Sequence, residues 1–138
     1  MNTNNTTALP LIGRLLLAFI FIFSGIGKIA APAGTMGYIA AVGLPFPLIA
    51  LVGAIGIEVV GGLLLAAGLY TRTAAIVLAV FSVVTGVIFH GAIGDQNQLI
   101  HLMKNFALAG GLLQVAAFGA GSLSLDARRG ATQRVARA

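Results

Sequence analysis

Four long apolar runs, residues 9–31, 46–70, 74–93 and 99–120, are separated by short breaks that are polar or rich in Gly and Pro. Coiled at about 1.5 Å per residue, each run is long enough to cross a hydrocarbon layer of about 30 Å. The first run is interrupted only by Arg14, Ser24 and Lys28, and the second carries one charge, Glu58. The pattern therefore predicts an all-α fold, a membrane-spanning four-helix bundle. Residues 32–47, with Pro32, Pro45, Pro47 and three glycines, read as a connection in which Tyr38 is an interfacial anchor. Residues 70–73 are too few for anything but a tight reversal, which makes a helical hairpin, and residues 94–98 form a polar loop. Ahead of the bundle, residues 1–8 read as a flexible polar lead; behind it, residues 121–138 read as a basic cytoplasmic tail.

A cleaved signal peptide competes for the first run, because residues 15–26 resemble its apolar core and Ala31-Pro32-Ala33 has a small-x-small form. Pro32 is badly placed for cleavage, Lys28 interrupts the approach, and the run exceeds the usual core length. The membrane helix is the better reading.

Composition agrees with a bilayer. Apolar residues make up 59% of the 138 positions and charged residues 8%, too few to cover a water-soluble surface. Cysteine is absent, which excludes disulfides, thiolate metal sites and cysteine nucleophiles, so redox chemistry would need a borrowed cofactor. The net charge of +5 is scattered between apolar runs and does not form a nucleic-acid surface. It reads instead as topology: Arg14, Arg72, Arg128, Arg129, Arg134 and Arg137 fall on the side shared by the termini, against Lys28 and Lys104 opposite. Both termini are thus expected in the cytoplasm.

Glu58 is the most informative residue. It stands 12 residues from both Phe46 and Tyr70, near the bilayer midplane. A carboxylate there needs a partner, a hydrated cavity or a proton. Ala50, Ala54, Gly62 and Ala66 share its stripe at four-residue spacing, so it faces other helices. Arg14, Ala18, Phe21, Gly25 and Lys28 share one face of the first helix; Arg14 is the first choice of partner for Glu58 and Lys28 the second. Ala75, Ala79, Ser82, Gly86 and His90 line the third helix, while His101, Lys104 and Asn105 share a face of the fourth.

The outer half of the bundle is therefore expected to gather Lys28, His90, His101, Lys104 and Asn105 above one deep acid. Counting Arg14, three obligate cations then face one carboxylate, which suits water or an anionic or carbonyl-bearing ligand. Arg14 and Arg72 are read as structural ion-pair residues. Two histidines without cysteines or a carboxylate cluster make a poor metal site, so no metal is expected. Gly25-Ile26-Gly27-Lys28 lacks the spacing and preceding strand of a phosphate loop.

Several of these residues carry a resemblance. Arg14 with Ser24-Gly25-Ile26-Gly27-Lys28, Glu58-Val59-Val60-Gly61-Gly62, Gly68-Leu69-Tyr70-Thr71-Arg72, Lys104-Asn105 and Leu123-Ser124-Leu125-Asp126 make the chain similar to the DoxX family of small four-helix membrane proteins. The resemblance covers about residues 11–129. It implies a multi-pass protein of a bacterial-type cytoplasmic membrane. Related members include the membrane subunit of a thiosulfate:quinone oxidoreductase, and others assemble with sulfur-transfer and oxidative-stress proteins. The function this implies is a subunit of a quinone-linked complex, with quinone as its cofactor, rather than an enzyme by itself; the resemblance assigns no catalytic role, and it is the buried acid under excess cations that makes Glu58 the candidate proton carrier. The bilayer, protein partners or further copies of the chain are its expected contacts. The alternatives are a non-catalytic membrane scaffold and, behind it, a small-anion transporter.

Overall fold

The computed structural model describes residues 3–135, within which six α-helices form and no strand does: α1 Thr3–Ala30, α2 Pro32–Ala41, α3 Pro47–Ala67, α4 Thr71–His90, α5 Gln96–Phe118 and α6 Leu125–Val135. Four of them, α1, α3, α4 and α5, are long and apolar enough to cross a membrane. Local chemistry sets their ends. Proline disfavours helical backbone at the residue before it, so α1 stops at Ala30, Ala31 turns out (φ −133°, ψ 62°), and Pro32 starts α2 at its first turn. Gly68, at φ +67°, closes α3 in the left-handed conformation, with Leu69 N–H donating to the Leu64 carbonyl at 3.0 Å. Asp95 caps α5 by accepting from the Gln98 amide at 3.0 Å.

Three expectations are corrected. Residues 32–47 are not merely a connection, because most of them form α2; its glycines are tolerated in a short helix that rests mainly on α3. The polar lead is helical from Thr3, since adding Asn and Thr to an existing helix avoids the cost of nucleation. The tail folds as α6 and is docked. Met1, Asn2 and residues 136–138, including Arg137, lie outside the described residues.

Helices α1 and α3 form one pair and α4 and α5 another, with α3 against α4 joining them and α1 touching α5 much less. Their core is small-residue packing around leucine: Ala18, Phe21, Leu65, Ala75, Leu78, Ala79, Ala109 and Leu112. Glycine sets the α1–α3 spacing. A β-carbon on Gly25 would sit 2.6 Å from Val59 Cγ2, and one on Gly62 would sit 2.7 Å from Ile22 Cγ1. Lipid tails are as apolar as leucine, so close contact rather than water exclusion holds such helices together. The large apolar side chains, Phe19, Phe23, Ile49 and Val80 among them, point outward.

At the end of the bundle shared by the termini, Arg14 is 1% exposed. It donates from Nη1 to the Ala120 carbonyl at 2.9 Å and from Nη2 to the Leu123 carbonyl at 3.0 Å. Both carbonyls belong to the loop between α5 and α6. Asp126 then reaches across to cap α4, accepting from the Tyr70 and Thr71 amides at 2.9 Å each, while its own amide donates to the Gly68 carbonyl at 2.8 Å. Arg129 lies over the Tyr70 ring, 5.0 Å from its centre. One knot thus ties α1, the α3–α4 turn, the end of α5 and α6.

Two predictions come from this knot. Gly68→Ala forces an L residue to a positive φ and drives its β-carbon into Arg14 and Ser124. It should lower stability by about 1–3 kcal/mol in detergent melts, while Gly56→Ala, which meets no neighbour, stays close to wild type. The second concerns acid. Burial pushes the Asp126 carboxyl up, but the Thr71 and Tyr70 amides, the nearby Thr71 hydroxyl and Arg129 outweigh it and hold the group below the usual carboxylate range. A depressed folded value means that the stabilisation is complete above the unfolded value and fades as pH falls through the folded one. Protease nicking of α6 should therefore rise only below about pH 4, and Asp126→Asn should show that susceptibility already at neutral pH.

Candidate functional site

The α2 half of the bundle surrounds a half-open cavity of about 780 Å³ to which five helices contribute. Glu58 is its deepest charge, 5% exposed at the middle of α3. Lys28 meets it from α1, with Nζ 2.9 Å from Oε1 and 2.8 Å from Oε2. Ser24, one turn before Lys28, completes a triangle: its hydroxyl donates to Glu58 Oε1 at 3.0 Å and accepts from Lys28 Nζ at 2.7 Å. Oε1 thus takes two aligned donors, whereas Oε2 has only the ionic contact with Lys28 and no aligned donor among the described residues.

The expected Arg14–Glu58 pair does not form, and the helix register says why. Gly25 abuts Glu58 and Val59, Ala18 and Ile22 abut Gly62, and Arg14 abuts Gly68. Antiparallel packing in this register leaves Arg14 about 16 Å along the axis from the level of Glu58. Lys28 is less than one turn beyond that level, and its flexible stem folds back. Arg72, the other expected ion-pair residue, is exposed beside Gly119 and has no carboxylate partner among the described residues.

Lys28, Glu58, His90, His101, Lys104 and Asn105 all line this single cavity. His90 and His101 stack with ring centres 4.9 Å apart, and His90 Nδ1 lies 2.7 Å from Gln98 Oε1. Asn105 returns its amide to the His101 carbonyl at 2.9 Å, with its β-carbon against Gly86 of α4. Lys104 is exposed and has neither a hydrogen-bond acceptor nor an ion-pair partner among the described residues. Among those residues no group of three or more His, Cys, Asp or Glu is placed to hold a metal ion.

Two contributors are absent from the sequence-based site. Ser24 was available through its i, i+4 spacing to Lys28. Tyr38, expected as an interfacial anchor, is also carried by α2 to the cavity, where its hydroxyl donates to the Phe89 carbonyl at 3.1 Å and its ring lies 5.3 Å from the Phe89 ring. The remaining walls are mostly apolar, Ile20, Phe21, Phe81, Val84 and Ile88 among them, and the hydroxyls of Thr35, Ser82 and Thr85 there are bonded back to carbonyls of their own chain one turn earlier. The chamber is therefore amphipathic: a hydrophobic lining with its hydrogen-bonding groups gathered near the helix ends and on one deep acid, the usual character of a small-molecule site.

Comparison with known proteins bears on the same region. Residues 9–91, which include Lys28, Glu58 and His90, match the DoxX family. The chain is 38% identical over 116 residues to inner membrane protein YqjF of Escherichia coli (strain K12), covering 84% of this chain and 88% of that protein. It is 35% identical over 127 residues to inner membrane protein YphA of the same organism, covering 87% and 89%. No solved structure matches the chain.

Removing one partner from a buried pair strands the other charge, which costs about 3–5 kcal/mol, whereas replacing both with apolar groups is close to neutral. Lys28→Met should therefore melt well below wild type in detergent, and Lys28→Met combined with Glu58→Leu should recover most of the loss. Equal losses in the single and double variants would show that side-chain volume, not charge, is what the site requires.

Proposed function

This chain belongs to the DoxX family, and on that premise we propose that it is the quinone-handling membrane subunit of a redox complex linked to sulfur or oxidative-stress chemistry. The observation that carries this reading is the amphipathic cavity of about 780 Å³ in which Glu58, Lys28 and Ser24 meet. Its size falls within the range of small-ligand sites, roughly 300–1,000 Å³. The residues fit a quinone headgroup: apolar walls suit the ring and tail, and ammonium and hydroxyl donors suit the carbonyl oxygens. A bound quinone supplies an acceptor for two electrons and two protons, balanced by a partner subunit that oxidises a sulfur compound, such as two thiols to one disulfide.

The chain's own part is protonic. Glu58 Oε2, which lacks an aligned donor, is the atom at which a proton is held and released. Lys28 and Ser24 fix the carboxylate and offset its charge while the proton is away. Cysteine is absent, so no thiol of this chain can pass electrons on, and we assign the electron donor to the partner. We place the protein in the bacterial cytoplasmic membrane, in keeping with the names of both relatives. Its termini face the cytoplasm, because the arginines concentrate on their side.

A purely structural role for the Lys28–Glu58 pair is the competing reading, since that contact also joins α1 to α3. Glu58→Gln separates the two. As a proton carrier it should lose about 10²-fold or more in quinol formation per folded complex, a loss beyond the lowered melting temperature that removing one partner of the pair brings under either reading. Quinone should also be extractable from wild-type protein purified out of its native membrane. A variant that turns over normally but melts early, from a preparation without quinone, would overturn the redox reading in favour of the scaffold.

A further inference from the structure

The charges around the cavity do not cancel. Among the described residues Glu58 is the only carboxylate in its lining, and Lys28 and Lys104 are the two obligate cations there. Lys28 is already engaged: its Nζ donates to Ser24 Oγ at 2.7 Å and to Glu58 Oε1 at 2.9 Å, and lies 2.8 Å from Glu58 Oε2 in an ionic contact. That pair is a neutral unit. Lys104, on α5, has no acceptor among the described residues, so the lining carries one uncompensated positive charge.

The surroundings of Lys104 define what can answer that charge. His101 stands three residues before it and stacks on His90, whose Nδ1 is engaged with Gln98. Neither imidazole brings a negative charge. Tyr38 of α2 is the other titratable group of the lining, and its hydroxyl is bonded to the Phe89 carbonyl. Ile20, Phe81, Val84 and Ile88 continue the cavity as an apolar wall. The complement of such a surface is a molecule with a hydrophobic body and one negative charge on its head.

We propose that the cavity selects anionic amphiphiles, with Lys104 as the residue that binds the charged head and sets the preference for it over a neutral one. This rests on reading the cavity as a ligand site and deepens the quinone proposal, since an acidic quinone satisfies both. It does not need the ligand to be a quinone. A charge-assisted hydrogen bond is roughly twice as strong as a neutral one, which sets the size of the preference at about ten- to a hundred-fold in affinity.

The test is calorimetric titration of the full-length protein in neutral detergent at about pH 8, above the range in which a free imidazole titrates. Two probe pairs are used, each matched in length: an alkyl hydroxynaphthoquinone, whose acidic hydroxyl is ionised, with its methoxy ether; and a fatty acid with the corresponding alcohol. The anionic member of each pair should bind wild type about ten- to a hundred-fold more tightly. Lys104→Gln should abolish that ratio and Lys104→Arg should keep it, with melting profiles confirming that both variants fold. Equal binding of hydroxy and methoxy probes, or a ratio unchanged in Lys104→Gln, would overturn the proposal and leave the quinone reading standing. Selection of the fatty acid through Lys104, with neither naphthoquinone bound, would support the proposal and remove the quinone reading. Binding of none of the four would overturn both.

Discussion

A carboxylate in the middle of a bilayer is the constraint around which this bundle is arranged. Hydrocarbon offers Glu58 no hydration, so its charge has to be met by a neighbouring helix at the right depth. Lys28 and Ser24 meet it, and both lie on α1, on one face, one helical turn apart. That pairing fixes how far α1 slides along α3. The same register brings Gly25 and Gly62 to the places where the two backbones approach most closely, and it sends Arg14 to the far end. Electrostatics and packing select one alignment of the two helices. A shift by a turn would strand the acid and press side chains into the helix contacts at once.

The two ends of the bundle handle polar groups in opposite ways. At the Arg14 end the buried polar groups close on one another: the guanidinium holds carbonyls of the α5–α6 loop, Asp126 takes the free amides at the start of α4, and Gly68 supplies the sharp turn before it. At the other end the helices part around a chamber, and a short helix covers it. Leu65, Leu78 and Leu112, with no exposure, belong to the packed layer of small and branched side chains between the ends.

Much of this was legible in the sequence, for identifiable reasons. The four spans follow from hydrophobic runs, the lipid-exposed and buried faces from small residues at helical spacing, and the cavity lining from polar residues placed on those faces. Lys28, His90, His101, Lys104 and Asn105 were grouped in that way, and all of them line the chamber with Glu58. What sequence did not supply is axial register. Glu58 had two cationic candidates on the same face of α1, and only the three-dimensional alignment shows that Arg14 lies too far away. Helix α2 and the docked α6 escaped for a different reason. Pro and Gly punctuation marks boundaries without saying whether the interval folds, and the docking of α6 depends on Asp126 finding amides more than fifty residues away in the chain.

The closed layer beneath the chamber has a consequence for direction. Polar lining reaches Glu58 from the α2 half, while Ala18, Leu65, Leu78 and Leu112 pack as an apolar cluster. An acid served through such a vestibule would, in exchanging protons, deal with one aqueous compartment in preference to the other. The asymmetry of the bundle thereby becomes an asymmetry between the two faces of the membrane. Any electron transfer that drew on this carboxyl group would be vectorial, contributing to or consuming a transmembrane gradient according to the side on which its electron donor resides.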